Sequence, residues 1–210
     1  MEFCYTESFL RLMKRPKFPL ILASNSPRRS ALLSQINLKF IALPARIKEQ
    51  ILLNEKPEDY VERIALAKGN RIAKKYPNST VIGADTIVVL ENKILGKPKT
   101  KIKAKEMLRE LQGKKHKVIT GISVINKSKN IELSQAIKTD VKMKALSEKE
   151  IDGYVRTKEP LDKAGAYAIQ EIGAVLIDEI KGSYTNVVGL PLDALCELLR
   201  KAEIEIWEKR

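Results

Sequence analysis

The chain has 210 residues, 44% of them hydrophobic, so it is long enough to bury a full core and to fold alone. Its formal net charge is +13, but the basic residues are spread from Lys14 to Lys209 and only 5% of residues are aromatic. Without an arginine-rich block or interleaved aromatics, nucleic acid is a minor alternative and a phosphorylated small molecule is the favoured ligand.

Residues 1–18 show no complete helical or strand period, so we expect a loose N-terminal extension before a single domain over residues 19–210. From Pro19 onward, short apolar runs alternate with amphipathic segments. The pattern predicts strands over residues 20–24 and 80–90, and helices over residues 27–36, 58–76 and 104–111. This alternation is typical of an α/β fold.

The second half of the chain predicts a hairpin, because strands over residues 116–126 and 131–143 are joined by a short polar turn. The sheet should therefore be mixed. Ser147 and Glu150 have capping-box spacing and begin a helix that runs through Tyr154. Residues 164–180 are interpreted as a glycine-punctuated strand region, residues 181–191 as a loop, and residues 192–202 as a closing helix.

The segment "ASNSPRRS" (residues 23–30) carries an anomaly at a helix start. Ser26 is a good N-cap and Pro27 suits the first helical position. Arg28 and Arg29 then place two positive charges where the helix dipole is already positive, which costs a few tenths to about 1 kcal/mol each. An anion held by these groups and the Ser24 hydroxyl reverses that sign, whereas a solvated arginine pair is the plainer alternative.

Two further positions break the local pattern. Lys68 lies four residues from both Ile64 and Ile72, on the apolar face of the helix over residues 58–76, so it points inward or extends its head to water. Asp85 lies in the middle of an apolar strand, where an unpaired carboxylate costs several kcal/mol. We expect a cation, a metal or a functional water beside Asp85, with Lys97 as its charge partner.

The chemistry available to the chain is that of carboxylates and cations. His116 is the only histidine, which excludes a Ser-His-Asp triad and a histidine-based zinc site. Gln170 lies in a stretch of small residues suited to a pocket wall. A carboxylate, several cations and a helix-start anion site together favour attack of water on a phosphoanhydride with help from a divalent metal.

Composition also suggests a compartment. Cys4 and Cys196 are too few and too far apart for a disulfide framework, which favours a reducing environment. No apolar run approaches the roughly 20 residues of a membrane helix, and the first residues lack a signal-peptide core. We therefore expect a cytoplasmic protein without a membrane partner, and the sequence leaves a homodimer open.

Five segments resemble, in order, the motifs of the Maf family of nucleoside triphosphate pyrophosphatases. They are "LILASNSPRRSALL", "VIGADTIVVL" with "ILGKP", "GKKHKVITGI", "EPLDKAGAYAIQ" and "GSYTNVVGLPL", and the resemblance runs from about Leu20 to Leu199. It implies a Maf/inosine-triphosphatase-like α/β fold with a central mixed sheet flanked by helices and two lobes around a cleft. It also implies cleavage of a nucleoside triphosphate to the monophosphate and pyrophosphate with Mg²⁺ or Mn²⁺.

The resemblance assigns a role to each matching residue. Asp85 is the expected proton acceptor and Glu49 the expected metal or water ligand. The residues expected to hold and neutralise the phosphates are Ser24, Arg28, Arg29, Lys68 and Lys97. The trio of Arg28, Thr86 and Gln170 resembles the subgroup that acts on dTTP and UTP. The alternatives are the subgroup that prefers a methylated guanosine triphosphate and a non-catalytic nucleotide-binding regulator linked to cell division.

Three positions depart from the family pattern. Lys48 stands where an acidic residue usually precedes the glutamate matched by Glu49, which leaves one carboxylate in that loop. Thr100 stands where an aspartate often follows the Lys-Pro pair. Glu171 replaces the glycine that usually follows the glutamine matched by Gln170, so it adds bulk and charge beside the expected base pocket.

Overall fold

The computed structural model of the chain describes residues 20–207, and the extension expected over residues 1–18 lies outside them. The chain divides into two compact units, in keeping with the two lobes expected from the family resemblance. The first unit comprises the described residues up to Asp85, Gly121–Ala136 and the chain from Leu192. The second unit comprises Thr86–Thr120 and Ile137–Pro191.

Seven strands and six α-helices occupy the described residues. The strands are β1 (Leu20–Leu22), β2 (Ile41–Ala42), β3 (Thr80–Leu90), β4 (Lys93–Leu95), β5 (Lys115–Asn126), β6 (Ile131–Met143) and β7 (Ile177–Lys181). The helices are α1 (Pro27–Gln35), α2 (Pro57–Ala73), α3 (Lys101–Leu111), α4 (Glu148–Arg156), α5 (Tyr184–Val188) and α6 (Leu192–Lys201).

The strands form one sheet in the order β2-β1-β3-β5-β6-β7, with β4 paired to β3. Strand β1 pairs in parallel with β2 and β3, whereas β4 pairs antiparallel with β3 and β7 antiparallel with β6. The sheet is therefore mixed, which confirms the predicted α/β class. Strand β3 is buried at every position except Thr86, which is half-buried, and this explains its nearly continuous apolar sequence.

Each unit has its own hydrophobic core. In the first unit, residues of β1, β2, α2, β3 and β5 are packed together: Ile21, Ala23, Ile41, Leu43, Ile72, Ala73, Val81 and Ile125. In the second unit, the core is built mainly from α3, α4 and the strand segments beside them, including Val88, Leu95, Leu108, Val118, Val141, Ile151 and Tyr167.

Helices α1 and α4 begin with the N-cap residues that the sequence predicts. The Ser26 side chain accepts a hydrogen bond from the Arg29 amide at the start of α1. At the start of α4, Ser147 and Glu150 form the predicted reciprocal capping box. Within residues 20–207, no helix is long and apolar enough to cross a membrane.

The prediction of a strand region over residues 164–180 is wrong for most of its length. Residues 164–176 contain 3-10 turns, Ala164–Ala166 and Glu171–Leu176, and only β7 is a strand. The reason is the backbone, because Gly165, Ala166 and Glu171 have φ values of 69°, 61° and 65°, which an extended strand cannot accommodate. The loop predicted over residues 181–191 likewise contains the short helix α5.

His116 is buried in the second unit, where it has a structural role. Its side chain is 3% exposed, and its Nε2 lies 2.7 Å from the hydroxyl oxygen of Tyr167. Burial lowers the pKa of His116 from 6.5 to about 4, because the charged imidazolium is poorly solvated there. The folded protein therefore holds this ring neutral at pH values where the unfolded chain already binds a proton.

We expect His116 to contribute to acid destabilisation. Because its folded pKa lies below its unfolded value, stability is complete above about pH 6.5 and is lost as the pH falls towards about 4. Between pH 7 and pH 5 the loss is about 2 kcal/mol. Urea unfolding of the native protein and of a His116→Gln variant at pH 7 and pH 5 measures this loss in the free energy of unfolding. Equal pH dependence in the two proteins contradicts the prediction.

Candidate functional site

The segment between β1 and α1 forms a compact polar turn. The Ser24 hydroxyl oxygen accepts hydrogen bonds from the Ser26 amide and from Nη1 of Arg29, each at 3.2 Å. The same Nη1 donates to the carbonyl oxygen of Ala84 at 3.0 Å. Arg29 thereby links the turn to the backbone of β3 immediately before Asp85.

Charge at this turn has the pattern of an anion site. Arg28 and Arg29 both lie in the first turn of α1, which contains no acidic residue. Burial lowers the pKa of Arg29, and the charge of Arg28 acts in the same direction, whereas Asp85 and Glu49 oppose the shift. Helix-start amides and arginine side chains favour a bound phosphate in general, so the composition of this turn suits the anion site expected from the sequence.

Helix α2 lies directly against the sheet because glycines occupy the contact. A Cβ on Gly83 would collide with the carbonyl oxygen of Ala65 and would lie 2.9 Å from the amide nitrogen of Gly69. A Cβ on Gly121 in β5 would collide with the backbone of Val61. This close approach places the buried face of α2, including Lys68, against the strand that carries Asp85.

Lys68 holds two carboxylates. Its Nζ lies 2.7 Å from Oδ1 of Asp85 and 2.7 Å from Oε1 of Glu49. Lys68 and Asp85 are 9% and 7% exposed, whereas the Glu49 side chain is 49% exposed. Of the two orientations left open for Lys68, the structure shows the inward one, and Lys68 is the ion-pair partner of Asp85. Lys97, the partner expected from the sequence, is an exposed residue that follows β4.

Tyr60 also belongs to this group, although it was not among the site residues predicted from the sequence. It lies two helical repeats of four residues before Lys68 on the buried face of α2 and is 5% exposed. Burial raises the pKa of Tyr60 to about 12, and the negative charges of Asp85 and Glu49 add to the shift. The hydroxyl is therefore a hydrogen-bond donor at neutral pH. The spacing of Tyr60, Ile64 and Lys68 is the signal that could have found it.

The other predicted site residues belong to the second unit. Thr86 Oγ1 lies 3.0 Å from Oγ1 of Thr120 and donates to the carbonyl oxygen of Gly189 at 3.4 Å. The Thr120 hydroxyl donates to the carbonyl oxygen of Asn186 at 3.2 Å. The half-buried Thr86 side chain is thus oriented by the segment around α5 rather than by its own strand alone.

The side chains of Tyr154 and Glu159 bind the backbone on both sides of Gln170. The Tyr154 hydroxyl accepts a hydrogen bond from the Ala168 amide at 3.1 Å and donates to Oε1 of Glu159 at 2.9 Å. The Glu159 carboxylate also accepts from the amides of Ile172 and Gly173, at 3.1 and 2.9 Å. These bonds fix the backbone on each side of Gln170, in the segment where a strand was wrongly predicted.

The three departures from the family pattern have different structural settings. Thr100 is the N-cap of α3, and its hydroxyl accepts a hydrogen bond from the Lys103 amide at 3.2 Å, a role that threonine and aspartate share. Glu171 has a φ of 65°, which explains why glycine suits that position. Lys48 is exposed beside Glu49, and nothing in the structure explains its charge.

Comparison with known proteins assigns the chain to a family. A family model described as "Maf-like protein" matches residues 19–202. The dTTP/UTP pyrophosphatase of Clostridioides difficile (strain 630) is 47% identical over 182 residues, which make up 87% of this chain and 94% of that protein. The dTTP/UTP pyrophosphatase of Geotalea uraniireducens (strain Rf4) is 45% identical over 189 residues, which make up 90% of this chain and 97% of that protein. The chain therefore belongs to the Maf family.

Proposed function

We propose that the chain hydrolyses dTTP and UTP to the nucleoside monophosphate and pyrophosphate, and that residues 19–210 act as one catalytic domain in the cytoplasm. The observation that carries the reaction type is the buried Asp85 carboxylate, which is bound to Lys68 together with Glu49. The choice of substrate is supported by relatives named dTTP/UTP pyrophosphatase at 43–47% identity.

Asp85 acts as the proton acceptor for the attacking water in this proposal. Its Oδ1 is bound to Lys68, so we assign the proton to Oδ2. The water oxygen forms a bond to the α-phosphorus, and the bond from that phosphorus to the bridging oxygen breaks. Pyrophosphate leaves with the electron pair, and the water proton remains on Asp85 until solvent removes it.

The cations stabilise negative charge that grows on the phosphoryl oxygens and the leaving group. Arg29 is anchored to the Ala84 carbonyl beside Asp85, and Lys68 contacts Asp85 itself, so both charges are placed before substrate arrives. Preorganised charge of this kind is usually the largest contribution to phosphoryl transfer. We assign phosphate contacts to Ser24, Arg28 and Lys97 as well, on their match to the family motifs.

The carboxylates of the site can be compared with the ligands that a divalent metal requires. Among residues 20–207, no group of three or more His, Cys, Asp or Glu side chains is arranged to hold a metal ion. Glu49 and Asp85 nevertheless converge on one ammonium group. Mg²⁺ and Mn²⁺ commonly bind one or two carboxylates and complete their shell with water and substrate phosphates, so the Glu49 carboxylate, which is 49% exposed, fits such an ion while Asp85 keeps Oδ2 for the attacking water. When bound, the metal neutralises phosphate charge and polarises the phosphoryl group.

We assign base selection to Arg28, Thr86 and Gln170. Thr86 is held by Thr120 and Gly189, and the backbone around Gln170 is held by Glu159. Fixed polar groups discriminate strongly between bases, because a wrong base leaves them without a hydrogen-bond partner. The two alternatives predict different behaviour. A pyrophosphatase of the other subgroup prefers a methylated guanosine triphosphate to dTTP and UTP. A non-catalytic regulator binds nucleotide without releasing pyrophosphate.

A panel of triphosphates separates these alternatives. The purified protein with Mg²⁺ or Mn²⁺ is expected to release pyrophosphate from dTTP and UTP with the highest kcat/KM, and the assay measures pyrophosphate directly. Preference for a methylated guanosine triphosphate overturns the assigned base selection. Release from none of the common triphosphates, despite measurable nucleotide binding, overturns the enzymatic function.

A further inference from the structure

Glu49 lies in a segment that is not stabilised by regular secondary structure. Residues 43–56, between β2 and α2, form no helix or strand. Three consecutive apolar residues close to Glu49, namely Ile51, Leu52 and Leu53, are 49%, 53% and 93% exposed, so burial of apolar surface does not anchor the stretch of residues 49–55. Ordering a backbone residue costs about 1–2 kcal/mol, and polar contacts must supply the compensation here.

We propose that Arg63, held by Glu55, is a positioning residue that fixes the loop of residues 49–55 on α2 and so places the Glu49 carboxylate for the reaction. The inference rests on the proposed function for its catalytic consequence. Its structural part, the fixing of the loop, stands on contacts that do not depend on any activity.

Arg63 binds the loop at two points. Its Nε and Nη2 donate to Oε1 and Oε2 of Glu55 at 2.5 and 2.7 Å, in a bidentate arrangement. Nη2 also donates to the carbonyl oxygen of Gln50 at 2.9 Å. Gln50 follows Glu49 directly, so this bond fixes the backbone one peptide from the residue that reaches Lys68. A planar guanidinium can make all three bonds at once, whereas a lysine ammonium cannot reproduce this fork.

Glu55 closes the loop on itself. Its Oε2 accepts from the Leu52 amide at 3.0 Å, and its own amide donates to the Leu52 carbonyl oxygen at 3.2 Å. The Glu55 side chain is only 8% exposed. Hydrogen bonding to Arg63 lowers the pKa of Glu55, and the same contact raises the pKa of Arg63. The pair is therefore a charge-assisted, bidentate contact with a further backbone donor, stronger than an ordinary surface ion pair.

The fold of α2 does not depend on this contact. The helix is packed on the sheet through buried residues such as Val61, Ile64 and Ala65, whereas the Arg63 side chain is 38% exposed. The Arg63 guanidinium also lies 5.6 Å from the ring centre of Tyr60. Loss of Arg63 should therefore release the loop and leave the helix in place.

The test uses Arg63→Lys, with Arg109→Lys as the matched control. Arg109 makes a comparable bidentate pair with Glu148, at 2.8 and 2.6 Å, and binds no loop of the site. We expect Arg63→Lys to lower kcat for dTTP by about 10- to 100-fold, because a misplaced group costs rate rather than ground-state binding. The KM should change by less than about threefold. Arg109→Lys should change neither constant.

A double-mutant cycle with Glu49→Gln tests whether Arg63 acts through Glu49. If it does, Arg63→Lys lowers kcat by less than about threefold in the Glu49→Gln background. A full, multiplicative loss in that background overturns the proposal, because a general structural defect gives that result. Equal kcat values for Arg63→Lys and the native protein also overturn it.

Limited thermolysin digestion of the full chain without nucleotide tests the loop independently of activity. Arg63→Lys should speed cleavage within residues 50–55 by about tenfold, located by mass spectrometry of the fragments, and Arg109→Lys should not. If the native protein hydrolyses no triphosphate, the proposed function fails while this digestion still decides the structural part. Unchanged cleavage in Arg63→Lys overturns that part.

Discussion

Replacing Asp85 with asparagine is expected to lower kcat by about 10²–10⁴-fold, the usual contribution of a positioned general base. Asparagine keeps the shape of the side chain but cannot take the proton of the attacking water. Lys68 keeps its contact with Glu49 at 2.7 Å, so we expect the variant to fold with a loss of about 1–3 kcal/mol in the free energy of unfolding. Steady-state pyrophosphate release, measured well below the melting temperature, checks the prediction.

Asp178→Asn is the matched control for this variant. Asp178 lies in β7 and forms an exposed ion pair with Lys142, so the same chemical change occurs outside the site. Its kcat should equal that of the native protein, because an exposed pair of this kind contributes at most about 1 kcal/mol to stability. An Asp85→Asn protein that retains native kcat would show that another group accepts the proton.

The second large effect is expected at Gly83. An added methyl group would collide with the Ala65 carbonyl oxygen and would lie 2.5 Å from the Ser123 hydroxyl oxygen. Since a backbone carbonyl cannot turn aside as a flexible side chain can, α2 must move away from β3. We expect Gly83→Ala to lower the free energy of unfolding by about 3 kcal/mol. The variant should also lose kcat at temperatures where it is folded, because Lys68 moves with the helix.

Gly153→Ala provides the contrasting measurement. Gly153 lies inside α4, and the nearest atom to an added Cβ is an Arg156 guanidinium nitrogen at 4.0 Å. Alanine there should raise stability by about 0.5–1 kcal/mol, the ordinary gain over glycine in a helix interior. Urea unfolding of both variants measures the two effects. A Gly83→Ala protein as stable as the native protein would contradict the close packing of α2 on β3.

The unusual positions of Lys68 and Asp85 could be predicted from the sequence, but the ion pair between them could not. Lys68 occurs at helical spacing from Ile64 and Ile72, and this periodicity correctly placed it on the apolar face but left open whether its ammonium turns inward or reaches water. Its partners lie 17 residues ahead in β3 and in the irregular loop that contains Glu49. They meet because Gly83 allows α2 to approach the sheet, which no local pattern describes. The partner that the structure shows for Asp85 is therefore Lys68, which the sequence pattern did not single out for that role.

Backbone conformation explains the main error in the predicted fold. Residues 164–176 combine small and apolar residues in a way that suggests a strand, but Ala166 and Glu171 adopt positive φ values of 61° and 65°. Neither residue type signals such a conformation, because glycine is the usual choice there. Strand β2 was missed for another reason: its two residues are too short to show alternation.

Hydrolysis of dTTP in ¹⁸O-enriched water reports which phosphorus the water attacks. The native protein with Mg²⁺ is incubated with dTTP, and the products are analysed by mass spectrometry. The proposed attack on the α-phosphorus places one ¹⁸O atom in thymidine monophosphate and none in pyrophosphate. Label in pyrophosphate, or products that are thymidine diphosphate and phosphate, would contradict the assigned reaction.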